Sequence, residues 1–309
     1  MSTAELPLAG RVVLITGAGR GLGREHALAC VALDAKVVVN DYGSSRDGQG
    51  ASSGPAEAVV EEIRAAGGEA VAHAGNVAEP ADAAQMVALA LERFGALHAL
   101  INNAGILRDK SLLNMSIDEW SQVIDVHLRG TFVMTQAAGR HWRDEAKAGR
   151  PVAARVVNTS SGSGLFGNFG QANYSAAKGG IASLTVLTAI ELGRYDVTAN
   201  AIAPVGKTRM LSPDPEALRL KQGFDPMDPA NVSPLVTWLV SENSRDITGQ
   251  VFSVVGGYIG VIESYNLGPG MMLDHKPTFA DIENRLPGLV AQARPRTAVH
   301  DSHGYSKGL

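Results

Sequence analysis

Three side chains in one short stretch have the types and spacing for acid–base chemistry. Tyr174 and Lys178 stand four positions apart in Tyr174-Ser-Ala-Ala-Lys178. The run that follows them, Gly-Gly-Ile-Ala-Ser-Leu-Thr-Val-Leu-Thr-Ala-Ile-Glu-Leu, is apolar at helical spacing, which places both residues early on one helix face. An ammonium beside a phenol stabilises the phenolate and lowers the phenol pKa from its usual value of about 10. Tyr174 is then a candidate general acid/base. Ser161 closes an apolar run upstream and could direct its hydroxyl at the same substrate oxygen. The same spacing also suits an amphipathic helix with an exposed lysine and a half-buried tyrosine.

The elements that would position these residues alternate strand with helix. Val12-Val-Leu-Ile-Thr16 reads as a buried parallel strand and runs into Gly17-Ala-Gly-Arg20-Gly21-Leu22-Gly23, with a helical pattern to about Leu33. Strand, glycine loop and helix form the context in which backbone N–H groups and a helix N-terminus hold a pyrophosphate. A second strand, Lys36–Asn40, ends at Asp41, whose carboxylate is placed to accept from a ribose 2′-hydroxyl and would repel a 2′-phosphate. NAD is therefore expected over NADP, although Arg20 and Arg46 stand near enough to recruit a phosphate. Tyr42 to Pro55 reads as a Gly/Ser-rich surface loop.

Helices are predicted over 56–67, 80–94 and 117–143. Further strands are predicted at 69–73 (ending near Asn76-Val77), 97–101, 154–159, 197–203 and 250–254. The fourth strand leads into Asn102-Asn103-Ala104-Gly105, where small residues would let backbone lie against an adenosine. This alternation predicts one α/β domain with a Rossmann-type, doubly wound parallel sheet of about seven strands and helices on both faces. The glycine loop, Asp41, Asn103, Ser161 and Pro204 all follow strand ends, so they converge on the edge where such sheets bind ligands. The proline-rich segment 204–229 is expected to act as a substrate lid, and 261–309 as an irregular, polar C-terminal extension to a 1–260 domain.

Composition narrows the partners. A formal charge of -4 over 309 residues offers no electrostatic attraction for nucleic acid. No apolar run approaches the roughly 20 residues of a membrane span. No basic and then apolar leader opens the chain, so a cytoplasmic location is expected. The lone Cys30 cannot form an internal disulfide and sits in an apolar helical pattern, as a small core residue. No metal is expected.

With Thr16-Gly17-Ala-Gly19-Arg20-Gly21-Leu22-Gly23, Asn102-Asn103-Ala104-Gly105, Ser161, Tyr174-Ser-Ala-Ala-Lys178 and Pro204 in this order, residues 1–260 resemble the short-chain dehydrogenase/reductase family. Finer segments are similar to the subgroup that includes the (3R)-hydroxyacyl-CoA dehydrogenase part of peroxisomal multifunctional enzymes of type 2, a group also associated with 17β-hydroxysteroid oxidation. These are Asn103-Ala-Gly-Ile-Leu-Arg-Asp-Lys110, Val126-His-Leu-Arg-Gly130 and Gly167-Asn-Phe-Gly-Gln-Ala-Asn-Tyr174. The resemblance implies Tyr174 as acid/base, with Lys178 lowering its pKa and binding the nicotinamide ribose, and Ser161 as holder of the substrate oxygen. It implies Asp41 at the adenine ribose, Asn76 and Val77 flanking the adenine, Asn103 to Gly105 lining the cofactor, and Thr208 after Pro204 at the carboxamide. The expected substrate is a small molecule, an acyl-CoA or a steroid. Arg108, Lys110, Lys207 and Arg209 are available at the rim for an acyl-CoA. A homodimer or homotetramer is implied. Two positions depart from the family pattern: His127, a catalytic candidate that could bridge a water chain to Lys178 or equally be a packed core residue, stands where many members have asparagine, and Pro204-Val-Gly-Lys-Thr208 where Pro-Gly is commoner.

Overall fold

The computed structural model describes residues 5–45, 47–206, 224–263, 266–295, 297 and 299. Strand β1 (Val12–Thr16) is wholly buried, as a run of Val, Leu and Ile requires, and it feeds α1 (Gly21–Ala32). Then follow β2 (Lys36–Asn40), α2 (Gly54–Ala65), β3 (Ala70–His73), α3 (Pro80–Phe94) and β4 (Ala99–Asn102). Pro80 opens α3 and left-handed Gly95 closes it, the usual division of labour between these residues. Helix α4 (Ile117–Ile124) starts at a capping box of Ser116 and Glu119. It continues through a π-turn (Asp125–Arg129) into α5 (Gly130–Lys147). The chain goes on through β5 (Ala154–Thr159), α6 (Gly162–Phe166), α7 (Ala172–Leu192), β6 (Val197–Val205), α8 (Ser233–Leu239), β7 (Val251–Val255), β8 (Tyr258–Ile262) and α9 (Phe279–Gln292).

All strands join one sheet in the order β3-β2-β1-β4-β5-β6-β7-β8. Every neighbouring pair is parallel except β7 with β8, which is antiparallel. Among the described residues the expected doubly wound sheet is present with eight strands, not about seven. The added strand is a hairpin return at Gly256-Gly257, with Val255 opposite Tyr258. The pleat divides the core in two. Val13, Ile15, Val37 and Val39 face α1, α2 and α8, while Val12, Leu14, Val38 and Leu100 face α3 and α5. Cys30 lies in the first of these cores, and burial raises its thiol pKa to about 12.

Four elements depart from the sequence expectation. The single helix expected over 117–143 is interrupted by the π-turn and reaches Lys147. The short α6 and α8 were not anticipated, because each is too short to show a period. The tail contains α9, although none of its residues is buried. The stretch 204–229 falls largely outside the described residues, from 207 to 223.

Buried amides tie the sheet to the helices behind it. Asn102 Nδ2 donates to Asn158 Oδ1 (2.9 Å) and Thr135 Oγ1 (3.1 Å), and Asn158 Nδ2 donates to Thr185 Oγ1 (2.9 Å). One polar chain thus links β4, β5, α5 and α7 without water. Asn158→Ala takes one of two hydrogen-bond partners from the Asn102 amide nitrogen and from the Thr185 hydroxyl, which keep Thr135 and the Ile181 carbonyl. It is expected to cost about 1–3 kcal/mol in urea denaturation; unchanged stability would show that the chain does not hold α7.

Candidate functional site

The carboxyl ends of β1, β2, β4, β5 and β6 carry the residues singled out in the sequence. At the glycine loop, Arg20 is extended and caps α1 with no side-chain hydrogen bond, and no acidic residue sits in the first turn. The N–H groups of Gly21, Leu22 and Gly23 are therefore left for an anion. Gly23 is required for close approach: a Cβ there would stand 2.3 Å from the Gly17 carbonyl oxygen and 2.6 Å from Asn103 Nδ2. This uncapped, side-chain-free cradle fits a pyrophosphate.

Asp41 has a second task that spacing alone did not reveal. Its Oδ2 accepts from Gly19 N (2.9 Å) and its Oδ1 from Gly43 N (2.7 Å), so the carboxylate holds the glycine loop as it faces the groove. Arg20 reaches the Ser44 carbonyl at 3.4 Å, and Arg46 lies outside the described residues. Asn103 braces the loop, donating from Nδ2 to the carbonyls of Thr16 (3.1 Å) and Gly17 (3.0 Å). The backbone N–H groups of Asn103 and Ala104 donate to Thr16 Oγ1. Asn76 follows β3, its Oδ1 accepting from Ala78 N at 3.0 Å. Val77 turns its side chain into the core, against Gly130. Pro204 is the penultimate residue of β6, in register with Val254, and Leu22 lies across from Gly206. Thr208, Lys207 and Arg209 lie outside the described residues.

Ser161 caps α6 at the end of β5, and Tyr174 and Lys178 ride on the first turns of α7, as expected. The Ser161 hydroxyl stands near enough to the Tyr174 phenol to favour its ionised form. Lys178 Nζ lies 5.5 Å from the centre of the Tyr174 ring and donates to the Thr159 carbonyl at 2.5 Å. The charge balance differs from the sequence expectation. Although the Tyr174 residue as a whole is only partly buried, its phenol is pushed up to about 12. Burial is the main cause; the Ser161 hydroxyl opposes it, and Asp109 adds to it. Lys178 is pushed down to about 7 by burial alone. Each desolvated group favours its neutral form.

His127 is fully inside, on the π-turn. Its ring meets Tyr174 edge-on at 5.2 Å, and its Nε2 lies 2.8 Å from Ile106 O and 3.0 Å from Ile106 N. Only one of those contacts is a hydrogen bond in a given tautomer. Nδ1 is buried without a protein partner. Burial, then Lys178, hold the imidazole well below its ordinary pKa, so it is neutral. Gly105 packs on this ring: a Cβ there would stand 2.4 Å from His127 Cε1.

Sequence reasoning passed over Asn173. It is wholly buried, its Nδ2 donates to the carbonyls of Arg108 and Glu119 (both 3.0 Å), and its Oδ1 accepts from Tyr174 N (2.7 Å). An asparagine in the first helical turn directly before the tyrosine was the available sign, since such residues favour helix ends. Gly164 and Gly179 were also missed. They let α6 touch the α7 backbone, a Cβ on Gly164 standing 2.4 Å from Gly179 N.

The buried lysine has a measurable consequence. Its folded pKa, about 7, lies below the unfolded 10.5, so between those values the unfolded chain binds more protons and stability from this group rises with pH. Lys178→Met should therefore stabilise the fold near pH 6 by on the order of 1 kcal/mol or more, with the gain shrinking towards about pH 9.5. An equal effect at both pH values in urea denaturation would contradict a lysine held neutral by burial.

The family model described as short chain dehydrogenase matches residues 11–217. The hydroxyacyl-CoA dehydrogenase ChsB1 of Mycobacterium tuberculosis is 45% identical over 273 residues, covering 84% of this chain and 82% of its own. The peroxisomal multifunctional enzyme type 2 of Drosophila melanogaster is 43% identical over 82% of this chain, which spans 40% of that longer protein. Among solved structures, a short chain dehydrogenase from Mycobacterium avium superposes with a TM-score of 0.86 at 49% identity, covering 96% of this chain and all (100%) of that one.

Proposed function

The chain belongs to the short-chain dehydrogenase/reductase family, and from that premise we propose an NAD-dependent oxidoreductase that interconverts a secondary alcohol and a ketone, with a 3-hydroxyacyl-CoA as substrate. The observation that carries this reading is the meeting of Ser161, Tyr174 and Lys178 at the end of β5, beside a glycine cradle shaped for a pyrophosphate. A bound nicotinamide supplies the hydride acceptor. Gly17, Arg20, Gly21, Leu22 and Gly23 would hold the phosphates, and Asp41 the adenine ribose. Asn76, Val77 and Asn103 to Gly105 would line the adenosine, and Pro204 with Thr208 the carboxamide. The Asp41 carboxylate favours NAD, because it repels a 2′-phosphate.

Ser161 orients the substrate hydroxyl towards Tyr174, which takes up its proton as the carbonyl forms while passing its own phenol proton on towards Lys178, and the relay runs backwards in the reverse direction. Burial has brought the phenol and the ammonium towards their neutral forms, at about 12 and about 7. An oxygen gaining negative charge between them favours the ammonium by Coulomb attraction in a poorly solvated site. Neutral His127 adds no competing charge. Its unpartnered Nδ1 is suited to hold a water that continues the proton path towards Lys178.

Acyl-CoA is favoured by the names of the relatives and by the cations Arg108 and Lys110 beside the site. We assign residues 204–229 to the substrate lid and 261–309 to an extension of the 1–260 domain. The apolar, exposed Phe132, Leu187 and Ile190 on α5 and α7 suit a homodimer or homotetramer contact. Among the described residues no helix is long and apolar enough to cross a membrane.

The test follows NADH at 340 nm with a panel of 3-hydroxyacyl-CoAs and 17β-hydroxysteroids, with NAD and NADP. Oxidation of the acyl-CoAs with NAD, reduced roughly a hundredfold or more by Tyr174→Phe, is expected. Turnover of the steroids alone would move the assignment to a 17β-hydroxysteroid dehydrogenase. Binding of NAD with no Tyr174-dependent turnover of either class would point to a non-catalytic dinucleotide sensor.

A further inference from the structure

The segment between β2 and α2 forms a narrow finger. Its two legs touch at the base, where Ser52 N donates to the Tyr42 carbonyl (3.0 Å) and a Cβ on Gly43 would collide with the Ser52 carbonyl oxygen. Its tip is a tight turn: Ser45 N donates to Gln49 O (2.9 Å), Gly48 N to Ser45 O (3.0 Å), and the Ser45 hydroxyl to the Asp47 carboxylate. Compact loops with adjoining ends are a recurrent functional device.

The tip does not stay above β2. A Cβ on Gly48 would stand 3.0 Å from Ile106 Cδ1, and Asp47 Oδ2 lies 3.9 Å from Arg108 Nη1. Ile106 and Arg108 belong to the loop after β4, and β1 with its glycine loop lies between β2 and β4 in the sheet. The finger therefore crosses above the glycine loop, leaning on it through Arg20 and the Ser44 carbonyl. The neighbourhood supports a latch. Arg108 is only 21% exposed at its side chain and keeps a buried Nε with no partner; among the described residues Asp47 is the carboxylate within 4 Å of its guanidinium.

We propose that this finger is a strap over the pyrophosphate of the bound dinucleotide, latched by Asp47 to Arg108, and that its opening sets the rate at which the nucleotide leaves. This rests on the dinucleotide reading above. The latch residues position the strap and touch no reacting atom. Ile106 bonds His127, and the Arg108 carbonyl accepts from Asn173. The closed strap thus leans on the loop that also supports the Tyr174 helix.

NADH release from the full chain, followed by stopped-flow fluorescence on displacement with excess NAD, tests this without any substrate. An exposed ion pair contributes about 0.2–1 kcal/mol, so Asp47→Asn should release NADH up to about fivefold faster. Asp47→Arg combined with Arg108→Asp should restore the parent rate, which a merely structural loop would not do. Replacing residues 44–51 by Gly-Gly, which the adjoining legs allow, should accelerate release by about tenfold or more. Unchanged release in both Asp47→Asn and the shortened variant overturns the strap. Faster loading and tighter binding by the shortened variant also overturns it, because the finger would then occupy the place of the nucleotide. If the parent chain binds neither NADH nor NADPH, the dinucleotide reading itself fails, and the strap with it.

Discussion

Helix α7 is docked on the end of β5 by hydrogen bonds running in both directions, and the site has its shape only because of them. Lys178 Nζ donates to the Thr159 carbonyl, Ser160 Oγ donates to the Lys178 carbonyl, and Asn158 Nδ2 reaches Thr185 about two turns further on. An ammonium removed from water is costly unless its N–H groups find acceptors, and here a strand-end carbonyl is one of them. Gly164 and Gly179 bring α6 against the same turn of the helix. Ser161, which caps α6, is thereby held beside the Tyr174 phenol. Spacing of four on a helix brings a tyrosine and a lysine to one side; the strand, the short helix and the amide chain fix what that side faces.

A second support is the loop after β4. Its start is bound to the glycine loop through Thr16 and Asn103, its middle to His127 through Ile106, and its end to Asn173 through the Arg108 carbonyl. The nucleotide side and the acid–base side of the groove therefore share one rigid piece of backbone. The π-turn belongs to the same arrangement. By carrying His127 it turns an imidazole, not a solvent-facing side chain, onto the ring of Tyr174. π-turns inside helices recur at functional sites for this reason: one extra residue re-aims its neighbours.

Much of this was legible in the sequence, and the rest was hidden for identifiable reasons. Periodicity placed β1, α3 and β5 because each is a long or purely apolar run with clear punctuation. Gly23, Asp41, Asn103, Ser161, Tyr174 and Lys178 were found because each follows a strand end or a motif with its own chemistry. The eighth strand escaped because its pairing is set by a two-residue Gly-Gly return and none of its five residues is buried. The direction of the Tyr174 shift also escaped. Spacing shows that a lysine is near, whereas burial, which here outweighs it, depends on the whole packing around α7. Asn173 left only the weak sign of an asparagine in a first helical turn, and Arg108 supports it through a backbone carbonyl, which leaves no pattern in the side-chain alphabet.

The central claim is that this groove moves a hydride from a carbinol carbon to a nicotinamide, and isotope transfer tests it most directly. The full chain would be incubated with NAD and a 3-hydroxyacyl-CoA carrying deuterium on the hydroxyl-bearing carbon, and the reduced nucleotide weighed by mass spectrometry. The account predicts deuterium in the NADH, in step with ketone formation. Ketone formed without label in the nucleotide, or bound NAD that acquires none while the alcohol is untouched, would contradict it.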